Sequence, residues 1–162
     1  MIELCPHCGQ KLILPSGHKD APYLFVMDAP DAKEARTGRS FTGDSALVLI
    51  TEMQKAGINT RMCRFATMWL HEPNKDPRCS QMGYDNLLLE MANKRGVVLM
   101  GAELCKLFCN AAVSEWSGLE VQPVVEIPNF AGWMMVMIDP GMAIHQSFGE
   151  VRLALQKAKR RM

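Results

Sequence analysis

The sequence predicts a single three-layer α/β/α domain with a central four-stranded parallel sheet. Three observations carry that expectation. Short, continuous apolar runs recur at Tyr23–Met27, 97–100 and 133–138, as expected of strands buried on both faces, and 64–70 reads as a further strand. Between them lie longer stretches with apolar residues at helical spacing, and alternating strands and helices make a parallel sheet covered on both sides. The length, 162 residues, suits one domain with a substantial core.

The elements follow in order. Cys5-Pro6-His7-Cys8-Gly9 reads as a tight knuckle, followed by a polar stretch with Pro15, Gly17 and His18. After the first strand, residues 28–43 are rich in charge, Pro and Gly and read as a loop. Asp44 or Ser45 then caps a helix that runs to about Lys55 and is stopped by Gly57. Residues 64–70 form the second strand, and 71–78, with Pro73 and Pro77, the loop behind it. A helix over 80–94 presents Leu87, Leu88 and Met91 at helical spacing. Residues 97–100 give the third strand, stopped by Gly101 before a helix over 102–112. The last strand spans 133–138 and a terminal helix 149–161.

Composition sets limits on function. The formal net charge of +1 neither demands nor excludes nucleic acid, although Lys157, Lys159, Arg160 and Arg161 give the last helix a cationic end. Such an end approaches phosphates or simply complements the helix dipole. No apolar run approaches the roughly twenty residues of a membrane span, and no signal peptide is evident. A monomeric cytoplasmic protein is expected. Six cysteines in such a chain point to metal or buried thiols rather than disulfides. Cys105 and Cys109 share one helix face and read as core thiols, and the thirteen methionines as packing.

In parallel sheets, ligands bind beyond the carboxyl ends of the strands. Residues 28–43, 71–78 and 139–146 are therefore the segments where chemistry is expected.

The first of these carries a motif. Pro30, Glu34, Gly38, Phe41 and Gly43 fall in register with a pattern that runs G-E-x-P-G-x-x-E, three residues, then G-x-P-F-V-G. The segment thus resembles the first motif of the iron–sulfur branch of the uracil-DNA glycosylases. Agreement continues downstream. Ala56-Gly57-Ile58 is similar to that family's helix stop, and Asn74-Lys75-Asp76-Pro77 to its N-R-D-P loop. Val97 to Ala102 resembles its apolar strand ending in Leu-Gly, and Trp133 to Pro140 the strand leading to its His-Pro-Ser loop.

The resemblance implies a protein that flips a base out of DNA into a pocket at the sheet's carboxyl edge. Phe41 matches the ring that stacks on the base; alternatively it folds back into the core. Asp28 stands where the family has Glu and would orient water or stabilise charge on the sugar. Pro30 shapes the pocket wall, while Asp31 adds a second carboxylate or caps a turn. Thr67 occupies the base-reading position, where the family's Asn makes a bidentate contact that Thr cannot. Asp139 replaces the His of His-Pro-Ser, exchanging a donor for an acceptor unless it is protonated; alternatively it caps the turn before Pro140. His145 is a further donor in reach of that loop.

Cys5 and Cys8 stand where the family has the first two ligands of a 4Fe–4S cluster. With His71 and Cys79 they would form a set suited to zinc; an all-cysteine set that includes Cys63 would suit 4Fe–4S. The expected function is excision of uracil or another altered base from single- or double-stranded DNA. The alternative is a catalytically weak or inactive module of the same fold that binds DNA or a protein partner. A different enzyme of nucleobase metabolism that has reused the pocket is a third reading.

Overall fold

A computed structural model describes residues 3–142 and 148–162. Its centre is one five-stranded sheet, β1 (Tyr23–Met27), β2 (Cys63–Thr67), β3 (Gly96–Met100), β4 (Leu119–Val121) and β5 (Trp133–Met137), in the order β2-β1-β3-β5-β4. β2, β1, β3 and β5 are parallel, as their continuous burial requires. The expected four-stranded sheet is thus corrected by one strand. β4 pairs antiparallel with β5, and its three residues, two of them exposed, are too few to show an alternating pattern.

Helices cover both faces: α1 (Ala32–Thr37), α2 (Asp44–Lys55), α3 (Pro77–Met91), α4 (Ala102–Cys109), α5 (Val113–Trp116) and α6 (Phe148–Arg161). Alternate residues of each strand point to opposite faces. Tyr23, Phe25 and Met27 pack with Ala46, Leu49 and Met53 of α2 and Val151, Ala154 and Leu155 of α6. Leu24 and Val26 pack on the other side with Leu87 and Met91 of α3 and Leu104, Cys105 and Phe108 of α4. Among the described residues, no helix is long and apolar enough to cross a membrane.

Two local differences from the sequence reading matter for the site. Residues 28–43 are not all loop, because Asp31 and Glu34 form a capping box that starts α1. Helix α2 is capped by Gly43 rather than Asp44 or Ser45. The Asp31 carboxylate accepts the Asp44 N–H at 3.1 Å, so one side chain serves the starts of both helices.

Pairing is in step across the sheet. Thr67, Met27, Met100 and Met137 are successive partners, so four strands end on one line. The outer edge of β2 is covered by the N-terminal segment, where Ser16 and Phe65 exchange backbone hydrogen bonds of 2.8 and 2.9 Å. An open strand edge is a template for aggregation, and this one is closed within the chain.

Candidate functional site

The common end of the parallel strands gathers most of the residues singled out in the sequence. Asp28 follows β1 directly. Its Oδ1 accepts the Leu104 N–H at 2.8 Å and its Oδ2 the Glu103 N–H at 3.2 Å, so it caps α4 from across the sheet. The approach depends on Gly101, whose φ is +136° and where a Cβ would collide with the Asp28 carboxylate. Strand order reverses between β1 and β3, the type of crevice in which parallel α/β sheets place their ligands.

Asp139 lies two residues beyond β5. Its Oδ1 accepts the Gly141 N–H at 2.7 Å, and it is hydrogen-bonded to the Ser45 side chain at the start of α2. Burial holds both carboxyls above their ordinary range. For Asp28, the N–H groups of Leu104 and Glu103 oppose that rise, and the charges of Glu103 and Asp139 add to it. For Asp139, Gly141 and Ser45 oppose it. The Asp139 charge therefore reaches Asp28. Ser45 is an addition to the expected site, since its position in the sequence marked it only as a helix start.

The remaining positions are tied into the fold. Phe41 is 7% exposed with φ +55°, and its ring lies 4.8 Å from that of Phe65 in a cluster that includes Met27 and Ile138. Thr67 is buried and its hydroxyl donates to the Trp69 carbonyl at 2.6 Å. Pro30 is buried beside Asp31. Glu34, 1% exposed, accepts the Thr42 N–H at 2.9 Å and anchors the loop that bears Phe41. His145 lies outside the described residues.

A second cluster lies beside the first. Cys5, Cys8, His71 and Cys79 bring their ligand atoms within 4.8 Å of one another. The Cys5 and Cys79 sulfurs are 3.7 Å apart, and the Cys8 sulfur is 3.5 Å from His71 Nε2. His71 Nδ1 is 2.8 Å from the Glu72 carbonyl. A carbonyl only accepts, so Nδ1 is the donor in that bond, which leaves Nε2 of the neutral ring to turn a lone pair toward Cys8, the arrangement that orients metal-bound histidines. Asn74 Nδ2 donates to the Cys79 sulfur at 3.5 Å. Burial raises the Cys5 thiol, but the His7 and Cys8 N–H groups and the sulfurs of Cys8 and Cys79 outweigh it and hold it well below an ordinary thiol.

This donor set could hold a metal ion such as zinc. Cys63 is not part of it. It lies at the opposite end of β2, where its sulfur donates to the Asn59 carbonyl and burial pushes its thiol up to about 12.

No protein-family model matches the chain, and no curated protein was found to be similar to it.

Proposed function

We propose that this protein is a DNA glycosylase-like domain of the uracil-DNA glycosylase type, receiving an extruded base at the carboxyl edge of its sheet and carrying a structural zinc. The observation that carries the reading is the pair of partly buried carboxyls, Asp28 and Asp139, held by burial above the ordinary range beside the strand-order reversal. Carboxyls that burial shifts in such a crevice are candidates for catalytic acid and base roles.

Each residue then has a role. Ionised Asp28 retains unused lone pairs on both oxygens and orients a water toward the sugar carbon C1′. Protonated Asp139 donates to the departing base as the C1′–N bond breaks. The water adds hydroxide to C1′ and passes its proton to Asp28, and solvent then carries a proton from Asp28 back to Asp139. The loop from Pro30 to Gly43 walls the pocket, and Phe41 offers its ring face once the base displaces it from Phe65.

Zinc fits the donor geometry better than an iron–sulfur cube. Tetrahedral zinc with bonds of about 2.3 Å to sulfur and about 2.0 Å to nitrogen places its ligands roughly 3.5–3.8 Å apart, close to the 3.7 and 3.5 Å observed. A 4Fe–4S cube stands between its cysteines and would hold their sulfurs on the order of 6 Å apart. The ion would be held by Cys5, Cys8, His71 and Cys79, a closed set whose contribution is to the fold.

One set of observations favours a second reading, a binding module without catalysis. Both Asp28 oxygens cap α4, the Thr67 hydroxyl is bonded to Trp69, and Phe41 is buried on Phe65. The deciding experiment uses oligonucleotides that carry uracil, hypoxanthine, xanthine or 5-hydroxymethyluracil, and counts alkali-labile abasic sites. The first reading expects excision that falls at least about 100-fold in Asp139→Asn, the scale of a lost general acid. DNA binding without abasic product selects the second, and no binding to any oligonucleotide rejects the first and leaves the second only as a module for a protein partner.

A further inference from the structure

Helix α1 buries one side chain, and that side chain is a carboxylate. Glu34 is 1% exposed, whereas Lys33, Arg36 and Thr37 face solvent. A six-residue helix with no apolar face gains little from packing, so polar anchors set its position. Glu34 supplies those on the inside, accepting the N–H groups of Asp31, Thr42 and Gly43 at 3.1, 2.9 and 3.4 Å.

The outer anchor comes from the metal-binding hairpin. Lys11 Nζ donates to the Thr37 carbonyl at 3.1 Å, at the C-terminal end of α1, where unpaired carbonyls and the helix dipole favour a cation. The Lys11 stem lies over Gly38, which has φ +69° and where a Cβ would collide with it. Gly38 caps α1 and begins the loop to Phe41. Lys11 in turn is paired with Leu4 across the hairpin, and Cys5 N–H bonds the Gln10 carbonyl at 2.7 Å. A short, continuous path therefore runs from Cys5 through Lys11 to the Phe41 loop.

We propose that Lys11 is a positioning residue through which metal loading of the Cys5–Cys8 knuckle orders the loop that bears Phe41. Loading ties Cys5 and Cys8 to His71 and Cys79, and so holds the hairpin where its ammonium reaches Thr37. When the ion is lost the hairpin keeps its backbone bonds and the packing of Leu12 and Ile13, and α1 keeps Glu34 and the Asp31 cap but loses the hold on its C-terminal end. The consequence for base stacking rests on the glycosylase-like reading; the coupling itself does not.

Hydrogen exchange of the full chain tests the coupling. In zinc-loaded protein, Lys11→Met should speed exchange at 39–43 by at least about tenfold, a local opening, while β1 and β3 stay protected. Lys11→Arg, which still reaches Thr37, should restore the wild-type rate, and zinc-stripped wild type should resemble Lys11→Met at 39–43. Unchanged exchange at 39–43 in zinc-loaded Lys11→Met overturns the proposal, as does stripping that loosens only 3–16 and 68–79. If stripping unfolds the whole chain, the ion holds the fold at large rather than this loop through Lys11, and the proposal is likewise overturned. Excision assays on Phe41→Leu test the base-stacking role separately, and can fail while the exchange result stands.

Discussion

The Asp28 carboxylate accepts the backbone N–H of Leu104 at 2.8 Å, joining residues that are 76 positions apart. With the Glu103 N–H on the other oxygen, one side chain at the end of β1 satisfies two of the orphan donors that begin α4. Asp28 is therefore part of the scaffold whatever else it does. Asp28→Ala should cost about 1–2 kcal/mol, the usual loss when a helix cap is removed, and Asp28→Asn should cost less because its amide oxygen still accepts. Urea unfolding of both variants checks this. An activity loss in Asp28→Ala alone does not identify a catalytic role, so the Asn variant is the informative comparison.

The coupling of Asp28 to Asp139 predicts a pH dependence of definite sign. Both folded-state carboxyls sit above their ordinary value of 3.8. Ionising them thus costs more in the folded chain than in the unfolded one. The cost is absent below the unfolded value and grows as pH rises through the folded values. Asp139→Asn removes one such cost, so its stability relative to wild type should improve as pH rises above about 4. The Asp28 titration, followed by carboxyl-carbon NMR, should move down in the same variant. A stationary Asp28 titration would show that the two acids are independent.

The parts of the fold that follow from burial were legible in the sequence. Tyr23–Met27 is a strand with the bounds its apolar run implies, since a parallel strand covered on both faces leaves no room for polar residues. Helix α1 was obscured by its own charge, although the capping pair Asp31 and Glu34 marks its start. Strand β4 has no local signal because its stability comes from pairing with β5. The knuckle residues Cys5 and Cys8 could be recognised by spacing. The resemblance already grouped them with His71 and Cys79, and the structure brings these four together, although the convergence itself depends on how the N-terminal segment runs back along β2. The contacts of Lys11 with Thr37 and of Ser45 with Asp139 have no local signature, because each joins residues distant in sequence.

The proposed zinc site makes a stoichiometric prediction. Purified protein should be colourless and hold one zinc per chain, and exchange into cobalt should give the intense visible bands of a tetrahedral sulfur-rich site. Cys79→Ser should lose the metal and lower Tm by more than about 5 °C, because binding to a set absent from the unfolded chain adds directly to folding stability. Cys63→Ser should keep full zinc occupancy, as its sulfur lies outside the cluster. A brown protein with stoichiometric iron and sulfide would reject the zinc assignment.

Glu52 is the one ion-paired carboxylate buried between α2 and α6 among the described residues. It is 2% exposed, and Arg152 Nε meets it at 2.8 Å while Lys55 Nζ approaches at 2.8 Å from one turn along its own helix. The Arg152 hydrogen bond, set against the opposing effect of burial, holds its carboxyl below the ordinary value of 4.5, with Lys55 assisting. A depressed folded value gives stability that is present above 4.5 and is lost as pH falls through the folded value. Arg152→Ala leaves Glu52 with Lys55 alone and should lower Tm by roughly 3–8 °C near neutral pH. That deficit should narrow in acid, because a protonated Glu52 no longer needs the guanidinium. Thermal unfolding of wild type and variant at pH 7 and pH 3.5 tests both halves of the argument. A deficit that stays constant with pH would mean that Arg152 contributes through the packing of its stem rather than its charge.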